Sequence, residues 1–158
     1  GYDKGIVRDK KFKEKLKNAL SRRELNIVME CIGGEIMKTG FEALAPQGKS
    51  IVYGAASYAH PGDRPNYFKI LWKYLRRPKI DVQSLAEINK GLLGFNLIYL
   101  YEKSEIMHQL LSELKQLDID KPFVGQTFPF EQLPDAIRHF KTGTTMGKVV
   151  VNVTHDVD

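Results

Sequence analysis

The chain has 158 residues, 42% of them apolar and 27% charged, with one cysteine and a formal net charge of +5. This is the profile of one soluble globular domain, and it excludes collagen-like, mucin-like and disulfide-scaffold architectures. A chain of this length buries about 68–70% of the surface it exposes when unfolded, so a core needs neither disulfides nor metal.

The surplus of charge is local. Residues 1 to 24 hold nine basic and four acidic side chains, whereas the remaining 134 residues balance at 15 of each. Within that stretch Phe12, Leu16, Ala19 and Leu20 share one helical face while Lys and Glu fill the other, which predicts an amphipathic surface helix over 10–22. The basic run is therefore the solvated side of a helix, and no nucleic-acid partner is expected. Residues 26 to 32 (NIVMECI) form a short apolar run ending at Gly33-Gly34, the pattern of a strand buried on both faces and closed by a tight turn. Ile36, Met37, Gly40, Phe41, Leu44 and Ala45 then recur at helical spacing, and residues 50 to 54 (SIVYG) repeat the strand that ends in glycine. Strand, glycine turn, helix, strand, glycine turn is the alternation that builds a parallel sheet with a right-handed crossover. Ligands of open α/β sheets bind beyond the carboxyl ends of the strands, so the functional edge is expected there.

Residues 57 to 66 (SYAHPGDRPN) are rich in turn formers and predict a loop. Residues 67 to 79 (YFKILWKYLRRPK) interleave aromatic and basic side chains. The expectation is an amphipathic helix whose aromatics pack on the body and whose basic chains reach water; an anionic membrane surface or stacking on single-stranded nucleic acid is the competing use. Residues 94 to 101 (GFNLIYLY) predict a strand, or a strand running into a turn. Ile106, Met107, Leu110, Leu111, Leu114 and Leu117 predict a helix. FVGQTFPF is extended, Leu133 to Phe140 is a short helix, residues 143 to 147 turn, and residues 148 to 153 (KVVVNV) form a strand.

Nucleophilic and metal chemistry find little support. His60, His108, His139 and His155 are scattered without ligand spacing, so no metal site is expected. No serine sits in a G-x-S-x-G elbow. Cys31 has no partner, which fits a reducing, cytoplasmic setting and excludes both an intramolecular disulfide and a multi-Cys zinc cluster. No stretch approaches the ~18 apolar residues of a membrane span, and no secretory leader pattern is seen. The P-loop and the G-x-G-x-x-G turn are absent too.

Taken in order, GYDKGIV, NIVMECIGG, ALAPQGKSIVYGAAS, GLLGFNLIYL, PFEQLPDAI and MGKVVVNV resemble the C-terminal half of medium-chain dehydrogenase/reductase proteins. The similarity is to the quinone-oxidoreductase-like branch, which includes enoyl reductases of polyketide synthesis and vesicle-membrane homologues, and it covers essentially the whole chain. It implies an incomplete Rossmann-type α/β unit over 1–118, followed by the return segment of a GroES-like catalytic domain over 119–158. The first Rossmann strands and the phosphate turn would be missing, as from a fragment, so the chain alone is expected to be inactive.

By the same resemblance, Cys31, Ile32 and Gly33 form the loop that passes the adenosine and ribose. Tyr53, Gly54 and Ala55 lie near the pyrophosphate and nicotinamide ribose, and the backbone of Phe95, Asn96 and Leu97 holds the nicotinamide carboxamide. Gly147 and Lys148 stand near the nicotinamide end, and Arg8 near the adenosine phosphate, where it would serve a 2′-phosphate. Glu30 stands where relatives usually have Asp. The implied parent is a zinc-independent oxidoreductase using NADPH rather than NADH on a quinone or an α,β-unsaturated carbonyl. It would dimerise through the edge strand near 92–98. A rival reading is a non-catalytic module that binds an anionic membrane or partner through 67–79.

Overall fold

A computed structural model describes residues 3–58 and 65–153. His60, His155, the first two residues and most of the loop expected at 57–66 lie outside the described residues. Backbone contacts divide the chain into two units, one holding the described residues up to 58 with 66–103, the other residue 65 with 104–153.

The first unit begins with α1 (Phe12–Leu20), whose entry is fixed by Asp9: its carboxylate accepts from the Lys11 N–H at 2.9 Å and from Lys15 Nζ at 2.6 Å. Then come β1 (Leu25–Glu30), α2 (Gly34–Ala43) and β2 (Leu44–Val52). After them follow α3 (Tyr67–Leu75), α4 (Val82–Ile88) and β3 (Gly91–Gly94). Asn66 and Asp81 cap α3 and α4 by accepting from the N–H groups of Lys69 and Gln83, which satisfies donors a helix start leaves unpaired. The three strands lie in the order β1-β2-β3, all parallel. The expected βαβ alternation is therefore present.

Side chains alternate across a strand, and register partners share a face. Val28, Ser50 and Leu92 lie on one face, and Met29, Ile51 and Leu93 on the other. Helix α2 covers the first face so closely that a Cβ added at Gly40 would stand 3.2 Å from Val28. Ser50 is fully buried there, with no partner for its hydroxyl among the described residues. On the second face Met29 is 61% and Leu93 50% exposed among the described residues. The expectation that β1 is buried on both faces is thus corrected: its apolar run serves two faces, and among the described residues of this unit α2 covers one of them while Met29 on the other stays exposed.

Three contacts tie the helices to this sheet and to one another. Phe41 and Leu44 are buried where α2 passes into β2. Lys90, just ahead of β3, donates from Nζ to the carbonyls of Phe41 at 3.2 Å and Glu42 at 2.9 Å, closing the end of α2. Lys13 of α1 pairs with Glu42 at 2.7 Å; that bond holds the Glu42 carboxyl below its ordinary range and raises the Lys13 ammonium.

Two further expectations change. The strand near 92–98 ends at Gly94, and residues Leu97–Lys103 wind as a 3-10 helix. The reason is local: Asn96 Oδ1 accepts from the Ile98 N–H at 3.2 Å, and the Asn96 carbonyl accepts from Tyr99, so the chain turns instead of extending. Helix α3 forms as expected, yet its aromatics do not pack inward. Phe68 is 88% exposed and Trp72 61%, while Lys73 reaches back to the Ser57 carbonyl at 2.7 Å.

The second unit contains α5 (Ser104–Gln116), β4 (Val124–Pro129), α6 (Leu133–Lys141) and β5 (Lys148–Asn152). The apolar stripe of α5 forms one helix, although Leu110, Leu111 and Leu114 remain about half exposed. Strands β4 and β5 pair in parallel, with Phe128 beside Val151. Phe128 and Ala136 of α6 are the buried centre of this unit, and the Phe128 ring lies 6.0 Å from that of His139.

Candidate functional site

The carboxyl ends of β1, β2 and β3 place three short segments side by side. Cys31, Ile32 and Gly33 follow β1, Tyr53, Gly54 and Ala55 follow β2, and Phe95 to Leu97 follow β3. Backbone hydrogen bonds stitch them together. Tyr53 N–H donates to the Glu30 carbonyl at 2.9 Å, Ala56 to Cys31 and Ser57 to Ile32 at 2.8 Å, and Phe95 to Val52 at 2.9 Å. A Cβ on Gly54 would stand 3.1 Å from the Cys31 Cβ, so glycine is what lets the first two segments touch. Cys31 itself is half-buried and free.

Glu30 fixes the first loop. Its side chain is buried, with 3% of its surface exposed, yet Oε1 accepts from the Ile32 N–H at 2.8 Å and the Gly33 N–H at 2.9 Å. A buried carboxylate is tolerated only when such donors replace water. Gly33 then takes φ +83° and ψ −173°, and Gly34 has φ +60°, a conformation that side-chain-bearing residues rarely adopt. Directly after this turn α2 starts, and its first N–H groups lack helical partners.

A cavity of about 580 Å³ opens beside this turn. Its walls include Ile32 and Gly33, joined by Ser57, Tyr58, Trp72, Lys73 and Arg76. Arg76 stacks 5.0 Å over the Trp72 ring. The surface is mixed, with an indole, two cations, the Glu35 carboxylate and a helix start, so an aromatic ring and an anionic group both find partners there.

The structure thus brings nine of the sequence-derived residues to one sheet edge. Arg8 is exposed in the segment before α1, and among the described residues no hydrogen bond or ion pair ties it to the strand-end loops. Gly147 and Lys148 belong to the second unit, where the Lys148 N–H donates to the Phe123 carbonyl at 2.8 Å. Gly147 has φ +74°, and a Cβ there would press on Phe123. Sequence reasoning missed the bonds from Glu30 to its own loop and the placing of Lys73, Arg76 and Trp72 beside that loop. The buried carboxylate left a trace as an acidic residue at the end of an apolar strand, and the other three lay within the basic-aromatic segment. Among the described residues no group of three or more His, Cys, Asp or Glu stands together to hold a metal ion.

A parallel sheet of successive βα units with its loops converging at the strand ends is a Rossmann-type arrangement. The family model described as zinc-binding dehydrogenase matches residues 1–151, and the chain belongs to this family, within the medium-chain dehydrogenase/reductases. It is 30% identical over 135 residues to the synaptic vesicle membrane protein VAT-1 homolog of Danio rerio, covering 84% of this chain and 28% of that protein. The Homo sapiens homolog is 27% identical over the same length, with 34% of it covered. Among solved structures, the quinone oxidoreductase of Thermus thermophilus, also determined in complex with NADPH, superposes with a TM-score of 0.64. It shares 26% identity, covering 89% of this chain and 40% of that one. A probable oxidoreductase of Mycobacterium abscessus, at 18% identity and a TM-score of 0.67, shares the fold; 96% of this chain and 40% of that one are covered. The chain spans about a third of the length of the curated relatives it matches.

Proposed function

We propose that the chain supplies one wall of a nicotinamide dinucleotide site in an oxidoreductase that reduces a quinone or an α,β-unsaturated carbonyl, using NADPH rather than NADH and no zinc. The observation that carries this reading is the convergence of residues 31–33, 53–55 and 95–97 at the ends of three parallel strands. Gly33 and Gly34 at the first of these loops carry no side chain to hold a dinucleotide off the backbone. The strand-end edge and its cavity fit part of such a molecule: Ile32, Gly33, Lys73 and Arg76 would border the base and its phosphate, and the Phe95–Leu97 backbone the carboxamide. Arg8 is assigned to a 2′-phosphate, and Gly147 with Lys148 to the nicotinamide end. When bound, the reduced nicotinamide supplies a hydride, and a proton from water completes the two-electron reduction.

In this reading residues 1–118 are part of a Rossmann domain and 119–158 a return segment of the catalytic domain. The parent is cytoplasmic and dimerises through the edge at β3. The phosphate turn with its row of N–H donors is not among these residues, so the chain by itself is expected to give no turnover. The test pairs two measurements. NADPH and NADH are titrated against the 158-residue chain by saturation-transfer NMR, and NADPH oxidation is followed with a panel of quinones and enones. Weak binding that favours NADPH, disappears in Gly33→Val and occurs without turnover supports the reading. Absence of binding, or turnover well above background, overturns it.

A further inference from the structure

Two features beside the strand-end cavity attract an anion: the start of α2, and the cations Lys73 and Arg76. The first of them already holds one. The N–H groups of Ile32 and Gly33 converge on a single carboxylate, that of Glu30, with Oε1 at 2.8 Å and 2.9 Å and Oε2 at 3.1 Å from the Gly33 nitrogen. Successive amides that converge in this way, in a turn carrying residues at positive φ, form the kind of concave nest that binds phosphate in other proteins. Gly33 at φ +83° and Gly34 at φ +60° supply that turn, and α2 begins at once, its positive end adding to the attraction. Glu30 is 3% exposed, so a solute that displaced its carboxylate would have to break charge-assisted bonds shielded from water.

We propose that Glu30 is the resident anion of the turn between β1 and α2 and a specificity-determining residue. By filling the nest it shuts phosphate out of this turn and leaves the turn to an uncharged part of the ligand, a sugar hydroxyl or the face of a base. As to the identity of the ligand, this rests on the dinucleotide reading. The charges around the cavity agree. Glu35, in the first turn of α2, lines the cavity beside Gly33 and Gly34. A phosphate on the remaining amides of the helix start would therefore share the turn with two carboxylates, and like charges so close repel even through water. Lys73 of α3 and Arg76 at its C-terminal end line the same cavity, and no carboxylate occurs between residues 66 and 80. The cavity is thus polarised, acidic at the β1 turn and basic at α3. A ligand with one neutral end and one phosphate end is oriented by it, the neutral end against Ile32 and Gly33 and the phosphate against the two cations.

The experiment uses the isotope-labelled 158-residue chain and reads the amide NMR signals of Ile32, Gly33 and Gly34 while inorganic phosphate or adenosine is added. In the parent chain phosphate is expected to leave these signals in place. In Glu30→Ala the nest loses its anion and the thermal midpoint falls; formate or phosphate should restore most of that loss, and chloride at the same ionic strength should not. The same two anions should move the Ile32 and Gly33 signals of the variant, with phosphate binding on the order of tenfold tighter than to the parent chain. A side chain that merely propped up the loop would show the loss without this choice among anions. If Glu30→Ala does not fold in plain buffer, circular dichroism follows its refolding by formate against the same chloride control. Phosphate that moves the Ile32 and Gly33 signals of the parent chain overturns the proposal. So does a variant that formate and phosphate affect no more than chloride does. Adenosine checks the reading on which the ligand rests: if it leaves these amides unmoved, the dinucleotide reading fails, while the response to the anions still decides the role of Glu30.

Discussion

The strand-end loops and helix α3 belong to the same unit and are held by opposite means. The loops are fixed by main chain: N–H groups of Ile32, Gly33, Ala56 and Ser57 all find acceptors within two neighbouring turns, and the side chain that matters most is a buried carboxylate. In α3 the side chains carry the pattern, and most of them are more than half exposed. A region built on backbone bonds tolerates little change of conformation at its glycines and acceptors, whereas an exposed helix tolerates most changes to its side chains and changes only what it meets.

The largest effect that would break this contrast is expected at Glu30. Glu30→Ala leaves the Ile32 and Gly33 N–H groups without their acceptor, and the loss should be about 3 kcal/mol of unfolding free energy by denaturant titration. A cost within error of zero would show that water replaces the carboxylate freely and that the loop is not built around it. Next comes Gly33→Ala, expected at about 2 kcal/mol because an alanine is strained at φ +83°. Its added Cβ would also stand 3.1 Å from Ser57 Oγ. Thermal unfolding checks this, and an unchanged midpoint would mean that the loop relaxes into an ordinary conformation.

Smaller effects sharpen the other side. Ser50→Ala removes a buried hydroxyl that has no partner among the described residues, so it should raise stability by about 1 kcal/mol; destabilisation would reveal a bond the sheet provides for it. Phe68→Ser, in the exposed helix, should stay within about 0.5 kcal/mol of the parent chain, and a larger loss would mean that α3 packs on the body after all. The smallest expected effect is on pH. The Glu42 carboxyl is lowered by Lys13, so its share of stability is present above the unfolded carboxylate range and fades as pH falls through the folded value. The Lys13 ammonium is raised, so its share is present below the ordinary lysine range and is lost as pH climbs through the folded value. Protection of the α1 amides, relative to their intrinsic exchange rates, should fall at both extremes, and Lys13→Met should flatten that dependence.

The strands that end in glycine were legible because an apolar run closed by Gly admits few other meanings, and the order of the blocks identified the family. The exposed second face of the sheet was not. Ile27, Val28 and Met29 look alike in a sequence, and which of them is covered depends on helices packed from elsewhere. The segment 95–101 misled because aromatic and branched residues favour strands, whereas Asn96 supplied a local acceptor that bends the chain. Glu30 was visible only as a departure from the usual residue, since nothing in a linear string tells a solvated carboxylate from one that ties up its own loop. Lys73 and Arg76 stand out in the sequence as charge, and their nearness to Gly33 depends on how α3 folds back.

Lys90 has a consequence for the order in which the sheet assembles. Strands β1 and β2 are separated only by residues 31–43, most of them in α2, while β3 must return across residues 53–90. The entropy of closing a loop grows with its length, so the short β1-α2-β2 crossover should form early and the β3 strand should dock late. Lys90 precedes β3 and donates to the last carbonyls of α2, so its bonds are expected to form only when β3 docks, after the transition state. Lys90→Met should then speed unfolding while leaving the folding rate nearly unchanged.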